Sequence, residues 1–176
     1  DGAGMYSYGL VIQGGETAIG TVGLGTTNSW GAMSVEGGSI AIDELYVGWQ
    51  QTSGRGGQVR VLGGTLAVGD LVLSRKNGSN ANNVAELHLL GGTTTAERIA
   101  LGYDADVNAG SATINVNGGE LFVGAGGIAK NGTGSFRPVI NLIDGTLGAI
   151  APWSTSVALT LPADNSVELR AADALG

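Results

Sequence analysis

Paired glycines recur along this chain at Gly14-Gly15, Gly37-Gly38, Gly63-Gly64, Gly91-Gly92 and Gly118-Gly119, with Asp144-Gly145 as a sixth variant. The second members are 23, 26, 28, 27 and 26 residues apart. A period in the twenties restricts the fold sharply. Each unit is too small to bury its own apolar face, so neighbouring units must stack and share one continuous core.

Alignment on the second glycine shows what would stack. Two residues on stand Thr17, Ile40, Leu66, Thr94, Leu121 and Leu147, and four on stand Ile19, Ile42, Val68, Ala96, Val123 and Ala149. Val22, Leu45, Leu71 and Ile99 follow at seven, then Leu24, Val47, Leu73, Leu101 and Ile128 at nine. A third apolar pair precedes the next glycine corner: Met33 and Val35, Val59 and Val61, Leu87 and Leu89, Ile114 and Val116, Ile140 and Leu142. Spacing of two within each pair is the period of a strand, and no 3.6-residue period lies between them. The pattern predicts an all-β chain, a right-handed parallel β-helix of about six coils with three short strands each. Leucine-rich repeats share the period but need a different consensus and a helical return. At the ~4.8 Å spacing of paired strands, six coils make a rod about 29 Å long.

Residues 1–176 read as one β-solenoid module, an excerpt of a longer repeat protein. Its open coil ends predict self-association or adjoining coils of a longer chain as partners. The 33 glycines would argue for disorder were they not accompanied by 43% hydrophobic residues in register, so they are assigned to corners. A net charge of −7 argues against nucleic acid as a partner, because phosphate neutralisation needs a basic face. No cysteine is available for a disulfide or thiolate site, and no apolar run is long enough to insert in a membrane. No cofactor is expected.

One outward column contains the principal candidate site. Eleven residues after the second glycine stand Thr26, Trp49, Arg75, Tyr103 and Lys130, each preceded by a small residue: Gly25, Gly48, Ser74, Gly102 and Ala129. Aromatic and cationic side chains alternating along one corner suit mutual cation–π contact, and equally a glycan strip. In the glycan reading Trp49 and Tyr103 stack on sugar faces while Arg75 and Lys130 meet acidic groups. A plain solvated ladder accounts for the same residues. Asp104, Asp106 and Asn108 form a weak calcium candidate, with oxygen ligands at alternate positions of a turn. An EF-hand would require glycine and glutamate where Ala109 and Asn115 stand, and Asp/Asn before glycine is also common turn chemistry.

Catalytic signals are thin. His88, the single histidine, lies between Leu87 and Leu89 on an outer face. Asp43-Glu44, Asp70 and Glu97 form a carboxylate column between the first two strands, where two or three acids close together could serve as acid and nucleophile. No nucleophile elbow, P-loop, zinc-protease or dinucleotide fingerprint occurs. Asn115 and Asn141 are placed to form an amide ladder. Trp153 is a candidate to close the corner that Trp49 and Tyr103 occupy. Asn77-Gly78-Ser79 and Asn131-Gly132-Thr133 match the glycosylation acceptor pattern, although Asn-Gly is first a turn signal.

The stretch Gly124-Ala-Gly-Gly-Ile-Ala-Lys130-Asn-Gly-Thr-Gly-Ser-Phe136 resembles the G-x-G-G-L-x-K-x-G-x-G-T-L motif of autotransporter-associated β-strand repeats. The closing stretch Leu161-Pro-Ala-Asp-Asn-Ser-Val-Glu-Leu-Arg-Ala-Ala-Asp-Ala-Leu-Gly176 is similar to the segment that often precedes such a motif. The resemblance implies a secreted or cell-surface β-helical stalk of a bacterium, part of a very large protein and without shared catalytic residues. The expected function is therefore a non-enzymatic extracellular structural or adhesion module, a stalk, passenger segment or filament subunit. A polysaccharide-binding β-helix is the alternative, and a β-helical lyase or hydrolase comes third.

Overall fold

Residues 9–26, 29–50, 56–75 and 83–171 are described by the computed structural model, and every regular element among them is a β-strand. In chain order these are β1 (Leu10–Ile12), β2 (Glu16–Thr26), β3 (Gly31–Val35), β4 (Ser39–Gln50), β5 (Gly57–Val61) and β6 (Thr65–Leu73). They continue as β7 (Val84–Leu89), β8 (Thr93–Leu101), β9 (Ser111–Lys130), β10 (Arg137–Ala149), β11 (Leu159–Thr160) and β12 (Val167–Arg170). Every pairing is parallel and joins a strand to its equivalent one turn along, which makes a β-solenoid of about six turns.

The register reproduces the predicted columns. Leu10, Met33, Val59, Leu87, Ile114 and Ile140 stack in one line, and Thr17, Ile40, Leu66, Thr94, Leu121 and Leu147 in another. From the second turn to the fifth the large members of both lines are fully buried in one continuous core. Three strands per coil, however, become two. The first two predicted strands run together as one bent strand in β2, β4, β6 and β8, and all three fuse in β9. Glu44 keeps its ladder pairing with Thr21 and Asp70 while the pairing skips Asp43, so the strand runs on past one unpaired position between the two apolar pairs.

The glycine corner has a stereochemical cause. Gly15, Gly38, Gly64 and Gly92 adopt φ of 75°, 73°, 72° and 65°, a region glycine enters at no steric cost. Their carbonyls continue the ladder: Ser39 N–H donates to Gly15 O at 2.8 Å, Thr65 to Gly38 at 2.9 Å and Thr93 to Gly64 at 3.0 Å. Each such oxygen lies where a Cβ on the glycine one turn above would project, 2.6 Å away in the case of Gly38 over Gly15. Backbone stacks directly on backbone here.

A second corner explains the small residues before the outward column. Gly25, Gly48, Ser74 and Gly102 share φ of 72°, 73°, 71° and 81°. Ser74 is the one non-glycine among them, and its buried hydroxyl receives a hydrogen bond from Asn83 Nδ2 at 3.3 Å. Ala129 does not belong to this set. Between Ala96 and Arg98 of β8 there is one residue, whereas between their partners Val123 and Gly127 of β9 there are three. The bulge moves Ile128 onto Ile99, Ala129 onto Ala100 and Lys130 onto Leu101, two places behind the positions that residue counting from the glycine pair assigns.

After the sixth turn, β11 stacks on Ile140–Asn141 and β12 on Gly145–Gly148, forming a shortened closing rung. Leu169 extends the Leu121–Leu147 line but is 66% exposed, and Leu161, after β11, is 58% exposed. Among the described residues no helix is long and apolar enough to cross a membrane.

One core position is chemically mismatched. Thr94 is fully buried in the line between Leu66 and Leu121, and its hydroxyl has no hydrogen-bond partner. An unpaired buried hydroxyl costs about 1–3 kcal/mol, so its apolar isostere should fit better. Thr94→Val is expected to raise unfolding free energy by about 1 kcal/mol in urea titration, with an unchanged m-value.

Candidate functional site

The outer face of β4, β6 and β8 gathers three of the predicted residues, Trp49, Arg75 and Tyr103, and adds one. Tyr46 alternates outward between the core residues Leu45 and Val47, in a line with Gly23, Val72 and Ala100. An outward tyrosine would ordinarily be solvated, yet this one is only 7% exposed. Trp49, Arg75 and Tyr103 leave the second corner one turn apart and fold back over it. Arg75 N–H donates to Gly48 O at 3.0 Å and Tyr103 N–H to Ser74 O at 3.1 Å, so the ladder fixes the spacing of all three.

The side chains form a single cluster. The Arg75 Cζ lies 4.1 Å from the Trp49 ring, 4.5 Å from Tyr46 and 4.8 Å from Tyr103. Tyr46 meets Trp49 edge-on at 4.5 Å and 89°, and Tyr103 at 6.4 Å and 61°. Room for the indole comes from Gly23, where a Cβ would fall 2.8 Å from Trp49 Cε3. Val72 and Ala100 floor the cluster and are themselves nearly buried by it. Each cation–π contact contributes about 0.5–2 kcal/mol depending on desolvation. Tyr103 is the exposed member, at 42%.

Beside the cluster the charges are engaged. Glu44 Oε2 accepts from the Tyr46 hydroxyl at 3.1 Å and from Thr21 at 3.4 Å. Burial, helped by the bond to Glu44, raises the Tyr46 hydroxyl above its ordinary pKa. Asp70 and Arg98 are ion-paired at 2.7 Å, and the guanidinium hydrogen bond holds the Asp70 carboxyl below the usual carboxylate value. Arg75 touches no carboxylate among the described residues.

Two members of the predicted column lie elsewhere. Lys130 is exposed opposite Leu101 because of the β9 bulge and does not join the aromatic cluster. Thr26 stands opposite Gln50, after a register shift beyond Leu24. Trp153 packs against the main core instead of this corner. Tyr46 escaped the sequence reading because it sits three residues before the column. Its signal was an aromatic outward residue stacked on Val72 and Ala100, positions where a solvated strand face ordinarily has polar side chains.

The carboxylate column divides into two. Glu44, Asp70 and Arg98 share one line, while Asp43 and Glu97 flank Gly69 in the next. Asp43 and Glu97 border a shallow open depression of about 290 Å³, floored by Ala41, Ala67 and Thr95 and edged by Ile150. A Glu97 oxygen accepts from Ala125 N–H at 3.1 Å, within the β9 bulge. On the opposite face His88 Nδ1 lies 3.2 Å from Asn115 Nδ2, and Asn141 donates to Asn115 Oδ1 at 2.7 Å, so the predicted amide ladder extends to the histidine. His88 Nε2 stands 3.4 Å from Glu86.

At the calcium candidate, Asp104 Oδ1 accepts from the Asp106 amide at 2.9 Å, closing an Asx turn. The carbonyls of Tyr103, Ala105, Val107 and Asn108 accept from Asn131, Thr133 and Ser135 of the next turn. Asn108 therefore meets the overlying loop through its backbone. Among the described residues no group of three or more His, Cys, Asp or Glu could hold a metal ion. The same contacts engage both polar side chains of the Asn131-Gly132-Thr133 acceptor, while Asn77-Gly78-Ser79 lies outside the described residues.

The glycines of the Gly124–Phe136 motif each have a local reason. A Cβ on Gly124 would reach within 2.6 Å of the Glu97 carboxyl carbon, and one on Gly126 within 2.6 Å of Arg98 Cβ. Gly127 and Gly134 have φ of 65° and 56°, and Gly132 lies under Phe136, whose Cγ is 2.8 Å from the Cβ position. Comparison with family models, with curated proteins and with solved structures gave no match to this chain.

Proposed function

We propose that the chain is a non-enzymatic structural module of a bacterial surface or secreted protein, acting as a stalk, passenger segment or filament subunit by coil stacking. The observation behind this reading is the exposed end of the core. Leu169 continues the buried Leu121–Leu147 line with no described residue stacked above it, and Leu161, after β11, is likewise exposed. Apolar side chains and unpaired strand edges together favour another parallel coil at that end. The likeness of Gly124–Phe136 to autotransporter-associated repeats supports an extracellular setting, since those glycines serve the bulge and loop of a solenoid turn here.

End-to-end association is the expected behaviour of the isolated chain. Light scattering with size exclusion, followed by negative-stain microscopy, should show mass rising with concentration and short linear particles. Leu169→Lys should return the protein to monomer, with the melting temperature of the dilute, unassociated parent. A wild-type chain that stays monomeric at every concentration, or association unchanged in Leu169→Lys, would refute stacking through this end.

A further inference from the structure

We infer that Arg75 and Tyr103, backed by Tyr46 and Trp49, form a recognition site for an acidic sugar within a short oligosaccharide. The inference is independent of end stacking, because the cluster lies on the lateral face of β4, β6 and β8.

A guanidinium carries its five donors in the plane of the group, whereas its two faces are weakly hydrated and stack on aromatic rings. Three rings within 4.1–4.8 Å of the Arg75 Cζ hold the group, and none of them offers a strong acceptor to its N–H edges. Two carboxylates beside the cluster are already engaged, Glu44 by the Tyr46 and Thr21 hydroxyls and Asp70 by Arg98. With no carboxylate on it among the described residues, the Arg75 fork is ordered in advance and open to an oxyanion. Holding the guanidinium in place spares the side-chain ordering that binding would otherwise cost.

Tyr103 supplies the neighbouring surface. It is the cluster's exposed ring, fixed one turn from Arg75 by the corner ladder, and an aromatic face beside an oriented cation matches a pyranose bearing one acidic group. Trp49 is a positioning residue, because its indole is occupied by Gly23, Tyr46 and Arg75. The ligand must carry sparse charge. A net charge of −7 opposes dense polyanions such as nucleic acid, while one carboxylate or sulfate beside Arg75 is compensated locally.

Titration calorimetry and NMR on the full chain test this with a glucuronate-terminated disaccharide, its methyl ester and a sulfated disaccharide. At least one anionic sugar should bind, and the methyl ester at least about tenfold more weakly. The two anionic probes distinguish carboxylate from sulfate as the preferred group. Arg75→Gln and Tyr103→Ala should each weaken binding about tenfold to a hundredfold, Arg75→Lys should recover part of it, and Lys130→Gln should leave it unchanged. Because Arg75 also covers Tyr46, Arg75→Met serves as a variant that retains the stem packing, and ligand protection of Arg75 from phenylglyoxal in the unmutated chain reads the site without substitution. Binding of neither anionic sugar, equal binding of the ester, or binding unaffected by Arg75→Gln would overturn the proposal.

Discussion

Gly64→Val should destabilise the solenoid by about 3–5 kcal/mol. Two costs combine there. Gly64 has φ of 72°, which a β-branched residue adopts only at about 1–2 kcal/mol or more. In addition, the Cβ would drive into the Gly38 carbonyl and lie 2.7 Å from Gly37 C, disrupting the oxygen that accepts from Thr65 N–H. The first turn separates these terms. Among the described residues Gly15 has φ of 75° but nothing within 4 Å of its Cβ position, and Gly14 has neither constraint. Denaturant unfolding should therefore rank Gly64→Val far above Gly15→Val, with Gly14→Val within about 0.5 kcal/mol of the parent. Equal losses at Gly64 and Gly15 would show that backbone conformation, not coil stacking, sets the requirement for glycine.

Leu121→Ala should cost about 3–5 kcal/mol, because it opens a cavity in a core with rigid walls on every side. Leu121 is fully buried between Thr94 and Leu147, one turn below and one above. Leu169 occupies the same line two turns further along but is 66% exposed, so Leu169→Ala should change monomer stability by no more than about 0.5 kcal/mol. Same residue type, same column, opposite expectation: the difference measures what an overlying coil contributes. Unfolding should be measured under dilute conditions, since association through the Leu169 end would add its own stabilisation.

Much of this architecture was legible because a parallel stack repeats one local pattern. Once the glycine pairs were aligned, Met33, Val59, Leu87, Ile114 and Ile140 fell into one line, and the structure pairs them in that register. Residue counting failed where a turn gained residues inside the strand pair. Nothing in Gly124-Ala125-Gly126-Gly127 tells a counted alignment to skip two positions, so Lys130 was assigned to a column it does not join. The strand count failed for a related reason. Asp43 and Glu44 read as a connection between strands, but the chain stays in one strand through them and the ladder skips only Asp43.

By itself, then, the sequence determined the stack: period, inward columns and glycine corners, all dictated by burial and by backbone stereochemistry acting within one turn and its copies. Only the tertiary structure decided how the outward side chains use that scaffold. Trp49, Arg75 and Tyr103 are neighbours through the ladder, but their convergence on Tyr46 depends on χ angles, on the space above Gly23 and on carboxylates already engaged by Thr21 and Arg98. Those are contacts between turns more than twenty residues apart. A periodic pattern specifies which residues share a face, whereas the directions in which long side chains lean across that face follow from packing alone.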